Sequence, residues 1–253
     1  MLRTRVIPLL LLYNNNLVKT VKFRKFNYIG DPVNSVRIFN EFEVDELIFL
    51  DIAASRERKN PNFNLLHEIA NECFMPLSYG GGITNLDHAK KIFDIGFEKI
   101  SINTSSIEKP ELITQIANQY GSQAIIVSLD VKKNFFGKKT IRTLGGKKNT
   151  KKDPIDWAIE VENRGAGEIL LTSIDNEGTW NGFDIDIVKQ ITDNISIPVI
   201  AHGGAGNIDH IKEVVKNAKA SAVALGSMIV FQKKGMGVLL NFPDKKKIEA
   251  SIK

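Results

Sequence analysis

The feature of this sequence that most constrains its fold is a regular alternation of short apolar segments with longer amphipathic segments. Apolar segments rich in β-branched residues are typical of strands buried on both faces of a parallel sheet, and the amphipathic segments have the periodicity of surface helices. We predict strands at 6–12, 46–51, 75–79, 99–103, 124–130, 168–173, 199–202 and 222–226, and helices at 31–43, 63–73, 86–95, 110–120, 153–164, 184–192 and 208–217.

Eight strands that alternate with helices, with no Pro-, Gly- or Ser-rich linker, predict one α/β domain over 1–253 that folds as a (β/α)8 TIM barrel. An internal repeat supports this prediction. The segment 79–83 resembles 202–206, and 101–105 resembles 224–228, both at an offset of 123 positions. The repeat predicts two half-barrels, at about 1–120 and 121–253, and pairs Leu11 with Asp130 across the barrel.

Composition limits the class of protein. A chain with 43% hydrophobic and 25% charged residues can bury a full core, so we exclude disorder. The apolar run at 6–12 is shorter than the roughly 20 residues that a membrane span needs. It follows a basic start, as in a signal peptide, but Tyr13 and three asparagines take the place of a cleavage site, so we expect a buried first strand. The single cysteine, Cys73, indicates a reducing, cytoplasmic location.

Charge and motif content exclude two further classes. The net charge of +5 comes from scattered lysine pairs without interleaved aromatic residues, so we expect no nucleic-acid partner, and the excess fits anionic small substrates or solvated helix faces. The four histidines are scattered and neither H-E-x-x-H nor C-x-x-C occurs, so we expect no metal and no cofactor. His202 either lines the mouth of the barrel or is packed beside it.

Glycine-rich turns follow the third and the seventh predicted strands. Backbone N–H groups in such turns can approach a phosphate closely, because no Cβ intervenes. Two copies in register predict two phosphate sites, although either turn alone could be only a tight connection. One site would use Gly82, Asn103 and Thr104, and the other would use Gly178, Gly204, Gly226 and Ser227.

Carboxylates stand at or just beyond the ends of three predicted strands: Asp51, Asp130, Asp175 and, in the following loop, Glu177. Catalytic groups of (β/α)8 barrels lie at these ends. Asp130 closes an almost wholly apolar strand, so we predict that it is a general acid or base. Asp130 and Asp51 could instead cap the next turn.

Charged residues open four strands at the opposite end: Arg5, Glu46, Lys99 and Glu168. Two charges of each sign could form a closed ring of ion pairs beneath the barrel core. The alternative is that they are separately solvated strand starts, since isolated surface pairs contribute little.

The chain resembles the cyclase subunit of imidazole glycerol phosphate synthase, the barrel partner of a glutamine amidotransferase, from Arg5 to about Ser227. The resemblance rests on several strings, among them Gly30-Asp31-Pro32, Gly80-Gly81-Gly82-Ile83, Lys99-Ile100-Ser101-Ile102-Asn103-Thr104 and Gly203-Gly204-Ala205-Gly206. It implies that ammonia from a glutaminase subunit, the partner in a heterodimer, enters past a gate formed by Arg5, Glu46, Lys99 and Glu168.

The resemblance also implies a substrate with a phosphate at each end, held by the two predicted sites together with Lys19 and Thr172. The product would be imidazole glycerol phosphate, on the pathway to histidine. The family's two catalytic carboxylates fall at Asp130 and at position 11, where this chain has Leu11. Leucine moves no proton, and Tyr79, Glu177 and His202 also depart from the usual residues.

These departures indicate a divergent paralogue, and two functions stay open. The first is a synthase subunit in which Asp130 performs the remaining proton transfer. The second is a scaffold that docks the glutaminase and passes ammonia toward an amidino-sugar synthase, with little chemistry of its own. We expect 14–29 to be a loop at the mouth.

Overall fold

The structure is a computed structural model that describes residues 4–252. Within that range the chain forms twelve strands, most of which are apolar and buried. These are β1 (Arg5–Tyr13), β2 (Asn16–Val21), β3 (Arg24–Gly30), β4 (Leu47–Asp51), β5 (Leu77–Gly80), β6 (Lys99–Ile102), β7 (Ile125–Lys133), β8 (Lys139–Thr143), β9 (Lys148–Asn149), β10 (Glu168–Ser173), β11 (Val199–His202) and β12 (Ala222–Leu225).

Eight of these strands close into a barrel. They follow the order β1-β4-β5-β6-β7-β10-β11-β12, and β12 pairs with β1 to close the circle. All eight pairings are parallel. The prediction of a (β/α)8 TIM barrel is therefore confirmed, and the predicted first strand is β1. Of the basic start that prompted the comparison with a signal peptide, Met1 to Arg3 lie outside the described residues and Arg5 opens β1.

Helices connect the barrel strands. They are α1 (Pro32–Glu41), α2 (Ala54–Glu57), α3 (Phe63–Glu72), α4 (Leu86–Ile95), α5 (Thr104–Glu108), α6 (Glu111–Tyr120), α7 (Pro154–Asn163), α8 (Ile185–Thr192), α9 (Ile208–Ala218), α10 (Ser227–Val230) and α11 (Lys245–Ile252). Several begin where the sequence provides a capping side chain. Asp31 and Asp153 each precede a proline and accept a hydrogen bond from a backbone N–H of the first turn of α1 and α7.

The core has two parts. Outward-facing strand residues pack against the helices in the main cluster, which includes Phe39, Phe49 and Trp157. A separate inner cluster fills the barrel itself and contains Ile7, Leu9, Leu11, Val18, Ile48, Ile126, Leu170, Ile200, Ala222 and Ala224. Inward-pointing side chains of the strands therefore fill the barrel with a largely apolar core, as is typical of (β/α)8 barrels.

The internal repeat reappears in the geometry. Asn85 caps α4 and Asn207 caps α9 with nearly the same backbone angles, and each accepts from the N–H of a histidine three residues on, His88 or His210. An antiparallel hairpin also follows the first strand of each half, β2–β3 after β1 and β8–β9 after β7. The chain thus uses one local design twice, as a half-barrel duplication predicts.

The segment expected to be a loop, 14–29, is mostly ordered as strands. β2 pairs with β1, and β3 pairs with β2, so this hairpin extends the barrel wall above β1. The prediction was wrong because it treated a polar stretch as a loop; β3 has an exposed face and is stabilised by pairing rather than by burial. No helix among residues 4–252 is long and apolar enough to cross a membrane.

Candidate active site

Two cavities lie at the mouth of the barrel, which is the end formed by the carboxyl ends of the parallel strands. The larger has a volume of about 110 Å³. Its lining brings together residues singled out in the sequence, among them Leu11, Asp51, Asn103, Thr104, Asp130, Thr172, Glu177 and His202. The smaller has a volume of about 10 Å³, and its lining includes Lys19, Gly178, Gly204, Gly226 and Ser227. His202 contributes to both cavities.

Asp130 lies at the mouth end of β7 and lines the larger cavity. Asn103 Nδ2 donates to Asp130 Oδ2 at 3.3 Å. Burial raises the pKa of Asp130 from its ordinary value of 3.8 to about 7; the Thr172 hydroxyl acts against this shift and the charge of Glu177 adds to it. A carboxyl group that titrates near neutral pH can both give and take a proton, as an acid–base catalyst must. The alternative, that Asp130 caps a turn, finds no support in its contacts.

The raised pKa of Asp130 predicts a pH-dependent stability. Between pH 4 and 7 the folded protein keeps a proton that the unfolded chain has lost, so its stability falls as the pH rises through this range. Asp130→Asn has no such group. We expect the variant and the wild type to be equally stable near pH 4, and the variant to be more stable by about 2 to 4 kcal/mol at pH 8.

Urea unfolding at pH 4, 6 and 8 checks this expectation. Glu213→Gln, which alters an exposed carboxylate on α9, is the matched control. A difference between Asp130→Asn and wild type that does not change with pH would contradict the assigned environment of Asp130.

The other strand-end carboxylates have different places. Asp51 Oδ1 accepts from the backbone N–H groups of Ala53 (2.9 Å) and Ala54 (3.0 Å), so it does cap the next turn, although it also lines the larger cavity. Burial raises its pKa. Asp175 accepts from the N–H of Lys133 at 2.8 Å and lies outside both cavities. Its observed contact joins the end of β7 to the loop after β10.

Leu11 lies in the inner cluster and is only 6% exposed. It lines the same cavity as Asp130, as the internal repeat predicts. It pairs in register with Leu50 of β4, which also lines the cavity, so these two residues present hydrocarbon on this side of it. The other two carboxylates of this cavity, Asp51 and Glu177, lie at the end of β4 and in the loop after β10. Neither takes the place on β1 that Leu11 occupies.

Lys19 and Glu177 form a buried ion pair between the two cavities, with side chains 4% and 1% exposed. Glu177 also accepts from Thr20 Oγ1 (3.0 Å) and from the N–H of Phe23 (3.1 Å). Its own carbonyl accepts from the N–H of Lys22 at 2.9 Å. The loop after β10 therefore holds the β2–β3 hairpin over the mouth. This role of Glu177 could not be predicted from the sequence, because Lys19 and Glu177 are 158 positions apart.

The residues predicted for the second phosphate site come together around the smaller cavity. Gly204 has φ +109°, and a Cβ there would lie 2.0 Å from the carbonyl oxygen of Gly182, so only glycine fits. Lys19 supplies a cation and Ser227 a hydroxyl. A small cavity with glycine backbone, one lysine and one serine has the chemistry of a phosphate site.

The residues predicted for the first site are less closely grouped. Asn103 and Thr104 line the larger cavity, but Gly82 does not. Gly82 packs against the loop after α2, where a Cβ would lie 2.5 Å from the carbonyl oxygen of Lys59. Asn103 Nδ2 also donates to the carbonyls of Ser128 (3.0 Å) and Arg142 (3.2 Å), and Thr104 Oγ1 accepts from the N–H of Leu144 at 3.1 Å.

At the opposite end, which we call the floor, four charged side chains form a closed ring. Arg5 Nη1 contacts Glu46 Oε2 at 2.8 Å and Glu168 Oε1 at 3.1 Å. Lys99 Nζ contacts both glutamates as well, at 3.0 Å in the case of Glu168 Oε1. The alternative, separately solvated strand starts, is wrong because each cation bridges both anions.

Three serines, Ser78, Ser101 and Ser128, lie on the barrel strands β5, β6 and β7 that run from this ring to the mouth. They were not predicted from the sequence. Ser101 Oγ and Ser128 Oγ are hydrogen-bonded at 2.6 Å. Ser78 Oγ and, in the ring itself, Glu168 Oε2 are buried without a hydrogen-bond partner among residues 4–252. Unpartnered buried polar atoms are uncommon and are candidates for contact with a small polar molecule. A polar residue among apolar neighbours in a short strand was the available signal.

No group of three or more His, Cys, Asp or Glu side chains within 4–252 is placed to hold a metal ion.

Comparisons with known proteins bear on this architecture. The family model described as "Histidine biosynthesis protein" matches residues 5–234. A Pseudomonas aeruginosa protein named "Putative imidazole glycerol phosphate synthase subunit hisF2" is 49% identical over 249 residues, which cover 98% of this chain and 99% of that protein. Imidazole glycerol phosphate synthase subunits HisF of Prochlorococcus marinus and Methanococcus maripaludis are 42% and 39% identical and cover 90% and 92% of this chain, and 90% and 93% of their own length.

The closed barrel with polar groups at its mouth is the architecture of (β/α)8-barrel enzymes, a class whose active sites lie at the carboxyl ends of the strands. Both the family model and the relatives cover nearly all of this barrel. The chain belongs to the histidine biosynthesis protein family, and it is an enzyme subunit of the imidazole glycerol phosphate synthase cyclase type.

Proposed function

We propose that this protein is the synthase subunit of a glutamine amidotransferase, in which ammonia enters at the floor and reacts at the mouth with a phosphorylated substrate. The single observation that carries the proposal is the closed ring of Arg5, Glu46, Lys99 and Glu168 beneath a barrel with Asp130 at its opposite end. The ion pairs close the ring in this structure, and rotation of its side chains would open a path for ammonia. The proposed partner is a glutaminase subunit docked on the floor, in a cytoplasmic heterodimer.

The proposed substrate carries a phosphate bound by Lys19, Gly178, Gly204, Gly226 and Ser227. A second phosphate would bind near Gly82, Asn103 and Thr104. Of the two, the smaller cavity has the stronger support, because all of its predicted residues line it, whereas Gly82 does not line the larger cavity. The polar atoms of Ser78, Ser101 and Ser128 would give ammonia hydrogen-bond partners between floor and mouth.

We further propose that the cyclisation to imidazole glycerol phosphate is slow in this protein. The family reaction uses two carboxylates, and Leu11 places hydrocarbon where one of them would stand. Losing one proton-transfer group costs about 10²- to 10⁴-fold in rate. The same feature favours a second candidate, a subunit that conducts ammonia toward an amidino-sugar synthase and performs little chemistry itself. Asp130, with its pKa near 7, favours the first candidate.

A direct assay tests the rate. Purified protein, ammonia and the ribulosyl aminoimidazole carboxamide substrate are mixed, the loss of substrate absorbance is followed, and the Prochlorococcus marinus relative is assayed in parallel. We expect turnover that is at least about 10²-fold slower than that of the relative but is measurable. Equal rates would contradict the altered chemistry, and no turnover with enzyme in excess would favour the conducting subunit.

Leu11→Asp tests whether one residue accounts for the difference. We expect a gain in cyclisation below tenfold, because the carboxylate would enter an apolar cluster and because His202 and Glu177 have also changed. Leu11→Asn, which has similar size and no charge, is the control. A gain of about 100-fold for Leu11→Asp alone would show that the rest of the cyclase site is intact.

A further inference from the structure

Three polar side chains lie side by side at the mouth on adjacent barrel strands. Asp130 of β7 pairs in register with Thr172 of β10, and Thr172 pairs in register with His202 of β11. All three line the larger cavity. Thr172 and His202 are only 2% and 6% exposed. Thr172 Oγ1 and His202 Nδ1 are 3.1 Å apart, which is hydrogen-bond distance.

The Thr172 hydroxyl has a single proton, and this fixes the direction of the hydrogen bonds that link Asp130, Thr172 and His202. The hydroxyl acts on Asp130 as a hydrogen-bond donor, which favours the carboxylate. Its oxygen is then the acceptor for His202, so Nδ1 carries the imidazole proton. In this tautomer Nε2 is unprotonated and is free to accept a proton from a bound molecule. The order carboxylate, hydroxyl, imidazole orients the histidine as a base.

We propose that His202 is the second acid–base group of this site and exchanges a proton with the substrate through Nε2, in place of the carboxylate that Leu11 lacks. The proposal rests on the proposed function, since it assigns a residue to the same reaction. Thr172 is a positioning residue that fixes the tautomer. Because His202 lines both cavities, it lies where a substrate with its phosphate in the smaller cavity would extend into the larger one.

The proton inventory of an ammonia addition balances with these two groups. Ammonia forms a C–N bond to a carbonyl carbon, and the C=O electron pair moves to oxygen. His202 takes one proton from the nitrogen, and protonated Asp130 gives its proton to the oxygen. Protonated His202 then returns its proton to the hydroxyl, which leaves as water, and Asp130 recovers a proton from the iminium nitrogen. The net change is a carbonyl and ammonia to an imine and water.

The charges around His202 suit a group that acts only when substrate is bound. Burial, with the charge of Lys19 as a second cause, lowers the pKa of His202 to about 3, so the free protein holds a neutral imidazole. The other charged groups lining the cavities are Asp51, Arg56, Asp130 and Glu177. A phosphate dianion beside Lys19 would offset the lysine charge and raise the pKa of His202.

Nitrogen-15 NMR of the histidine rings tests the proposal without any turnover. Inorganic phosphate is the probe, His202→Asn assigns the resonance, and His67, His88 and His210 are internal references. We expect the Nδ1–H tautomer and no titration between pH 5 and 8 in the free protein. With saturating phosphate a titration of the His202 ring should appear within this pH range. The Nε2–H tautomer, or a His202 ring that still does not titrate in the presence of phosphate, would overturn the proposal.

Kinetics supply the second test. His202→Asn should lower ammonia-dependent turnover of the ribulosyl aminoimidazole carboxamide substrate by about 10²-fold and remove one limb of its pH profile. Thr172→Val should alter the tautomer and the pH profile, and Thr172→Ser should restore both. His67→Gln, on the exposed face of α3, is the control. An unchanged pH profile in His202→Asn would overturn the role of His202, whereas failure of the wild type to incorporate ammonia, with the NMR results as expected, would overturn the proposed function alone.

Discussion

Asp130→Asn is expected to lower ammonia-dependent turnover by about 10²- to 10⁴-fold, because it removes the carboxyl group of the mouth whose pKa lies near neutral pH. Asparagine has nearly the same shape and can still accept from Asn103 Nδ2, so the geometry of the cavity should persist. The loss should therefore appear in the chemical step rather than in substrate binding.

Single-turnover assays with enzyme in excess measure this effect, since the wild-type rate is itself expected to be slow. The unfolding experiments described above supply the control for folding, because the variant should be the more stable protein at pH 8. A variant that keeps more than about a tenth of the wild-type rate would mean that Asp130 is not the acid–base group.

Lys19→Met is expected to destabilise the protein by about 3 to 5 kcal/mol. The variant leaves the carboxylate of Glu177 almost fully buried without its cation, and the hydrogen bonds from Thr20 and Phe23 do not replace that charge. Glu177 also holds the β2–β3 hairpin over the mouth, so hairpin residues should become more accessible to hydrogen exchange.

A double-mutant cycle separates the ion pair from other effects of the substitution. Lys19→Met combined with Glu177→Gln should recover most of the lost stability, because glutamine removes the unpaired charge and can still accept from Phe23. Lys59→Met, in the exposed pair with Glu57, should leave stability nearly unchanged. A double variant that is no more stable than Lys19→Met would show that the pair is not what holds the hairpin.

Most barrel elements could be predicted from the sequence because their patterns are local. The predicted strands at 168–173 and 199–202 and the predicted helix at 86–95 match β10, β11 and α4 residue for residue. In these segments burial on both faces, or on one face of a helix, leaves a clear period in the sequence.

The β2–β3 hairpin could not be predicted because its turn has an unusual composition. Lys22 and Phe23 both adopt left-handed backbone angles, with φ of 53° and 60°, although neither is glycine or asparagine. Two hydrogen bonds to Glu177, from the N–H groups of Lys22 and Phe23, hold this turn from a distant part of the chain. A contact between residues 154 positions apart leaves no local signal.

The candidate site also has features that could be predicted from the sequence and features that could not. Glycine turns, strand-end carboxylates and the floor charges follow from the barrel topology, because parallel strands bring their equivalent ends together. The environment of Asp130 does not, since its pKa depends on burial and on Thr172 and Glu177, which lie on β10 and in the loop after it. The predicted roles of these residues in binding and in ammonia transfer stay predictions.

Nitrogen isotopes test the proposal that ammonia travels from the floor to the mouth inside this barrel. The protein, the proposed glutaminase partner and the carboxamide substrate are incubated with glutamine labelled with nitrogen-15 in its amide, in the presence of excess unlabelled ammonium. Mass spectrometry of the product measures the label. We predict that most product carries nitrogen-15 in the wild type and that Glu46→Gln, which opens the ring at the floor, lowers this fraction. A wild-type product with only the isotope ratio of the bulk solution would contradict the proposal.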